Sequence, residues 1–215
     1  MLRSYEEEIL ESGGLPPEMV ARAHRGLSLT HRLLGNHAAI IRALRSDGEK
    51  VRRVLDIGCG HGGLLERVRR ELDVEVIGVD LRPPANGGAK VPILQLDAVR
   101  DRLPQADVAV SVCLAHHLRE GEFVEMIRNV GRSCRRFVIL DLVRHYVPLA
   151  LFSMAAPLFL PKVNVLDGRL SIRRAYTPGE FRAILQRATA GTGGSFRHTV
   201  APFRIRQMAD IRFRH

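Results

Sequence analysis

A short apolar run empties into glycines at Val54-Leu55-Asp56-Ile57-Gly58-Cys59-Gly60-His61-Gly62-Gly63, and few folds tolerate that succession. Arg53 to Ile57 is rich in aliphatic residues and bounded by glycine, the pattern of a strand buried on both faces. Glycine lets the chain turn tightly and lets a ligand approach the backbone closely. Leu64 to Leu72 then reads as a helix. Its first turn aims unpaired N–H groups and a positive dipole end at whatever the loop holds.

The same rhythm continues downstream. Val74 to Val79 reads as a second strand ending at Asp80, Val91 to Leu96 as a third ending at Asp97, Asp107 to Val112 as a fourth, and Phe137 to Leu142 as a fifth. Glu120 to Val130 has helical spacing, and Pro83 to Gly88 reads as a loop. Strands alternating with helices at this spacing predict a parallel sheet covered on both faces. Thr177-Pro178-Gly179-Glu180 has the form of a helix start, with Thr177 as cap and Glu180 three residues on, and that helix runs to about Ala190. After a turn at Gly191 to Gly194, the runs 196–201 and 203–208 are close enough to pair as an antiparallel hairpin at one edge of the sheet. The expected architecture is therefore α/β, seven-stranded and mostly parallel, with an antiparallel C-terminal hairpin and helices on both faces. Two regions depart from the rhythm. Residues 1–50 read as a helical cap, with a helix over Tyr5 to Glu11, another from Pro16-Pro17, apolar helical spacing from Leu27 to Leu44 broken near Gly35-Asn36, and a close at Asp47-Gly48. Residues 51–215 form the main domain, and within it 143–176 is a long, mostly apolar, lid-like insertion.

Composition narrows the possibilities. A chain of 215 residues with 46% hydrophobic content can bury its own core as one domain. The net charge of +10 points to a polyanion or to an Arg-rich solvated surface. Of the 33 basic residues only Lys50, Lys90 and Lys162 are lysine, and the arginines are scattered, which favours the solvated surface. The absence of Trp argues against a stacking platform for single-stranded nucleic acid. Cys59, Cys113 and Cys134 are odd in number and far apart, so neither a disulfide framework nor a structural zinc site is expected, and no metal is assigned. A reducing cytoplasm fits them. The first residues are acidic where a signal peptide is basic, and the longest apolar run, Val147 to Leu160, is too short to span a bilayer as a helix.

Gly58, Gly60 and Gly63 also satisfy the spacing of a dinucleotide-binding loop, with Asp80 about 20 residues on to hold a ribose. Three details argue against NAD. Asp56 sits two residues before the first glycine, where a dinucleotide site has an apolar residue. A second acid, Asp97, ends the third strand, and the chain finishes in a hairpin. In this combination the sequence resembles the class I S-adenosylmethionine-dependent methyltransferases, across residues 50–142 most closely, and their small-molecule quinone and polyketide branch in particular. The resemblance implies a Rossmann-like fold and S-adenosylmethionine as cofactor. It implies that Asp56, Gly58, Cys59 and Gly60 wrap the methionine part of the cofactor. Asp80, followed by Leu81, would bind the ribose hydroxyls, and Asp97, with Ala98 beside it, the adenine. Ala106 to Cys113 resembles the fourth strand, whose end at Cys113 meets the sulfonium.

Leu114-Ala115-His116-His117-Leu118 resembles the His-containing segment of small-molecule methyltransferases. A histidine there can take a proton from a phenol or enol as the methyl moves, and His116 and His117 are the candidate bases, with His117 slightly preferred. Either can equally cap the following helix or pack under the cofactor. Tyr146 to Pro161 is expected to cover an apolar acceptor pocket, the alternatives being an ordinary core helix or a membrane-surface segment. The expected partner is a small, partly apolar methyl acceptor, methylated on oxygen or carbon. The competing readings are an RNA acceptor, motivated by the charge, and a cofactor-binding protein without turnover.

Overall fold

The computed structural model describes residues 1–46, 50–83, 90–191 and 193–214. Two helices, α1 (Pro17–Leu33) and α2 (Asn36–Arg45), precede β1 (Arg53–Ile57), α3 (Gly63–Leu72), β2 (Glu75–Asp80), β3 (Ile93–Gln95) and β4 (Ala106–Val112). Then follow α4 (Glu120–Gly131), β5 (Cys134–Leu142), α5 (Tyr146–Ala155), α6 (Lys162–Arg174), α7 (Pro178–Thr189), β6 (Ser195–Val200) and β7 (Arg206–Arg212). The strands form one sheet in the order β3-β2-β1-β4-β5-β7-β6. β1 to β5 are parallel, β7 runs against β5, and β6 runs against β7. Six strands thus point one way and β7 the other, as the sequence rhythm implied.

Alternation along the strands divides the core in two. Leu55, Ile57, Ala109, Phe137 and Ile139 face α4 and α7, meeting Phe123, Met126, Phe181 and Leu185. Val54, Val108, Val110, Val138 and Leu140 face the other way, onto Ile40, Ile41, Leu44, Leu65 and Val68 of α2 and α3. Each such side chain contributes roughly 1.5–3 kcal/mol by leaving water, so both faces need their helices. The order of β1 and β4 reverses the direction in which the sheet is built. The loops after these two strands therefore diverge, and the crevice between them is where open α/β sheets bind ligands.

The structure corrects several local expectations. Tyr5 to Glu11 is not helical: residues 1–8 have no regular secondary structure and 9–13 form turns. The reason is tertiary, because the Asp167 carboxylate accepts the backbone N–H groups of Ile9 (2.8 Å) and Leu10 (3.0 Å), and Ser4 N donates to Arg173 O. Residues 1–12 are a strap, irregular to Glu8 and turning at 9–12, that bonds to α6. β3 spans only Ile93–Gln95, so Asp97 lies two residues past its end rather than on it. The last strand begins at Arg206 and not at 203, because Pro202–Arg204 form a 3-10 turn with Phe203 at φ 55. The insertion is helical, α5 and α6 joined by a 3-10 turn at Ala156–Leu158. Pro148 falls in the first turn of α5 and Pro157 in the 3-10 turn, so neither breaks a helix interior. The capping box of α7 forms as expected, with Glu180 N donating to Thr177 Oγ1 at 3.3 Å and Thr177 N to Glu180 Oε2 at 2.8 Å. The turns expected at Asp47-Gly48 and across 84–88 lie outside the described residues.

Candidate active site

β1 delivers the glycine loop to the crevice. Gly58, Gly60 and Gly62 have φ of 72, 52 and 74°, values that side chains resist, which is why glycine stands at each turn. A Cβ on Gly58 would lie 3.0 Å from the Leu114 methyls, so this glycine also lets the loops after β1 and β4 touch. Asp80, at the end of β2, organises the loop from the side: Oδ2 accepts Gly60 N at 2.8 Å and Oδ1 accepts Arg82 N at 2.8 Å. Asp56 is buried beneath the loop, and burial together with the Asp80 charge pushes its carboxyl well above the usual carboxylate range. Cys59 is raised for the same reasons, burial first and then the charges of Asp56 and Asp80. Leu81 is exposed. Asp97 holds its own turn, accepting Val99 N at 2.8 Å, and Ala98 O accepts from Asn129 Nδ2 at 2.9 Å. Asp56, Cys59, Asp80, Leu81, Asp97 and Ala98 thus lie at or just past the C-terminal ends of the three adjacent strands β1, β2 and β3.

β4 ends against the same crevice. Cys113 adopts φ 57°, uncommon for a residue with a side chain, while its N–H still donates to Leu140 O at 2.8 Å. The strained residue turns the chain into the 3-10 turn Ala115–His117. There the two histidines part in environment. His116 is buried, and its Nδ1 stands 2.6 Å from Asp141 Oδ1, while its N–H donates to Asp141 Oδ2 at 2.9 Å. Burial raises the Asp141 carboxyl, but the His116 charge and hydrogen bond outweigh it and hold it below its ordinary value. His117 is partly exposed and pairs with Glu11 Oε1 at 2.5 Å through Nδ1.

The strap supplies residues that the sequence pattern did not disclose. Glu8 Oε1 lies 3.8 Å from His116 Nε2, accepts the Ser171 hydroxyl at 2.6 Å, and is pushed above its ordinary value by burial. Glu11 bonds Arg174 Nη1 at 2.7 Å as well as His117, and those contacts outweigh burial and lower its carboxyl. Arg3 donates to His116 O and Leu118 O, and Arg82 Nη1 to Glu11 O. Asp141 was legible in principle, as an acid inside the apolar run of β5. Glu8, Glu11 and Arg174 carry no local signal, since their side chains meet the histidines or one another only across more than a hundred positions. Glu8, His116 and His117 each bring one ligand atom within 4.8 Å of the others. Arg174, 3.9 Å from Glu8, already supplies positive charge there, and the Nδ1 of each histidine is held by a carboxylate. The group is a ladder of hydrogen bonds and close polar contacts between carboxylates, imidazoles and one guanidinium.

Residues 54–136 match a family profile described as a methyltransferase domain, the same residues that build β1 to β4 and the crevice. These residues form a methyltransferase domain. No curated protein sequence matches it. Among solved structures, the methyltransferase is similar to the plantazolicin methyltransferase BpumL in complex with a monoazolic desmethylPZN analog and SAH, at 15% identity and a TM-score of 0.72, covering 93% of this chain and 91% of that one. It is also similar to the methyltransferase domain of bacterial CtHen1-C, at 16% identity, TM-score 0.61, 83% of this chain and 96% of that one. The small RNA methyltransferase HEN1 gives 16% identity and a TM-score of 0.62 over 84% of this chain and 25% of its own. These likenesses are of fold.

Proposed function

We propose that the methyltransferase transfers the methyl group of S-adenosylmethionine to an oxygen or carbon of a small, partly apolar acceptor, with His116 as the base. The observation that carries this reading is the contact of His116 Nδ1, four residues past the end of β4 at Val112, with Asp141. Asp141 fixes the ring through Nδ1 and leaves Nε2, 3.8 Å from Glu8 Oε1, to accept a proton. His117, ion-paired to Glu11 on the strap, serves the closure of the site instead. On the donor side, Gly58, Cys59 and Gly60 offer backbone to the methionine portion, with Asp56 beneath them. Both Asp80 oxygens accept one backbone N–H and keep a further lone pair for the ribose hydroxyls. Leu81, Asp97 and Ala98 border the adenine, and Cys113 the sulfonium.

The sulfonium supplies an activated methyl carbon. As an acceptor oxygen or enol carbon took up that methyl, its proton would pass to His116 Nε2, with Asp141 holding the ring. Much of the rate then comes from orientation in the crevice. An RNA acceptor is favoured by the net charge and by the fold likeness to small RNA methyltransferases. A steep fall of RNA affinity with salt, together with labelled product in RNA, identifies that case.

The test is release of S-adenosylhomocysteine with phenolic and enolic acceptors. His116→Ala and Asp141→Asn are expected to lower kcat about 10²–10⁴-fold while S-adenosylmethionine affinity holds. His117→Ala is expected to retain most turnover. Wild-type rates in the His116→Ala enzyme remove the base role, and S-adenosylmethionine binding without turnover on any acceptor leaves a binding protein.

A further inference from the structure

α5, of sequence YVPLALFSMA, has no charged side chain, yet it lies on the surface. Phe152 turns inward, its ring so close to Gly168 of α6 that a Cβ there would lie 2.3 Å away. The outward stripe is Val147, Leu151, Met154 and, in the following 3-10 turn, Leu158, at helical spacing i, i+4, i+7, i+11. Met154 is 74% exposed and Leu158 85%. Beside the stripe, the 3-10 turn at Pro202–Arg204 packs on α5 and holds Phe203 outward, 73% exposed, in the left-handed conformation that bulky residues avoid. On the other side a groove of 490 Å³ runs between the 157–161 segment and α1, whose Arg22 and Arg25 line it.

The charge around this edge is one-sided. Residues 19–46, 142–166 and 181–209 contain no Asp or Glu. These stretches supply nearly all of α1, the whole of α5 with its following turn, and the turn bearing Phe203 and Arg204. Lys162 begins α6 at the same place and is exposed. The result is an aliphatic prow inside a cationic rim.

We propose that this edge docks onto an anionic lipid surface, with Met154, Leu158 and Phe203 entering the interface and Arg22, Arg25 and Arg204 meeting the headgroups. Apolar insertion and basic attraction are the two signals that reversible bilayer binding requires together. Nucleic acid would satisfy the arginines but leave Met154 and Leu158 without a partner. A symmetric pairing of two copies would set each cationic rim against its like. Docking in this way brings α5 and the groove to the membrane, so an acceptor dissolved in the bilayer has the shortest path in. That last step rests on the acceptor reading above, whereas docking itself does not.

Cosedimentation with vesicles tests it. The wild-type protein is expected to sediment with mixed phosphatidylglycerol–phosphatidylcholine vesicles about tenfold better than with phosphatidylcholine alone, and less as salt rises. Met154→Asp with Leu158→Asp, and separately Arg22→Glu with Arg25→Glu, are expected to lower partition onto the mixed vesicles about tenfold. Both leave thermal melting and S-adenosylmethionine affinity unchanged. Phe203→Asn, which suits the left-handed backbone, provides a variant that folds readily and is expected to bind vesicles more weakly. Absence of wild-type sedimentation overturns the proposal, as does undiminished sedimentation of the Met154/Leu158 variant. A dimer that this variant dissociates, or RNA binding that it abolishes, assigns the edge to another partner and overturns it equally.

Discussion

Asp80 carries two tasks at one carboxylate. It braces the glycine loop through Gly60 N and turns the chain through Arg82 N, and in the proposed site it faces the ribose. Asp80→Ala is expected to weaken S-adenosylmethionine binding by roughly 1–3 kcal/mol, the cost of stranding hydrogen-bonding groups. Calorimetry on the folded variant checks this, and unchanged affinity removes Asp80 from the ribose. His31 makes a pH-dependent contribution. Burial, reinforced by the charges of His37 and His116, lowers its pKa to about 4 from 6.5, so between those values the unfolded chain binds a proton that the folded one refuses. His31 therefore contributes stability that grows with pH across that window, by at most about 3 kcal/mol, and the raised carboxyls of Asp56 and Glu8 work against it. The lowered carboxyls of Glu11, Asp141 and Glu180 act in the same direction as His31 but only near and below their ordinary values of 4.5, 3.8 and 4.5. His31→Gln is expected to flatten the denaturation midpoint between pH 4.5 and 6.5. An unchanged slope locates the pH dependence elsewhere. At this scale Asp56, Asp80 and the histidines were legible because each follows a strand whose pattern is local. Glu8, Glu11 and Arg174 were not, because only the folded chain brings them to the His pair.

Among the elements, the α5–α6 pair depends on one glycine. Gly168→Ala forces the Phe152 ring to move, an overpacking cost of roughly 1–3 kcal/mol that exceeds the gain in helix propensity. Gly168→Ala is expected to destabilise the protein, and Phe152→Ala to absorb most of that cost in the double variant. Strict additivity of the two in denaturant melts contradicts the contact. This also changes what Phe152 does in the acceptor reading: it holds α5 down, while Phe159, beside the groove, is the ring an acceptor would meet. If α5 opens for the acceptor, hydrogen exchange there runs faster than in β4 and β5 and slows on acceptor binding. Protection equal to the central strands makes the segment core. The strap shows why elements are harder to read than residues. Tyr5 to Glu11 has the composition of a helix, but Asp167 captures the backbone N–H groups of Ile9 and Leu10 in a single turn.

For the molecule as a whole, the strand rhythm disclosed the sheet, its parallel body and the antiparallel edge, since a fully buried parallel strand must be apolar along its length. It did not disclose that β7 slots between β5 and β6, because pairing order leaves little mark on composition. A ligand that binds only the folded state stabilises it by mass action. S-adenosylmethionine at about a hundredfold over its dissociation constant is expected to add roughly 2.7 kcal/mol, a rise in melting temperature of about 5–10 °C, and NAD none. A shift with NAD and none with S-adenosylmethionine or its product contradicts the donor assignment. The strap gives this catalyst a timetable. Glu8 and Ser171 stand 163 positions apart in a chain of 215 residues, so their contact closes about three quarters of it into a loop. Contacts of such long range form only after the sheet has shortened the path between them. On refolding the strap settles last, and on warming it lifts first. If the acceptor site is built on the strap as proposed, turnover is expected to fail at a lower temperature than donor binding, which parallel activity and calorimetric melts check.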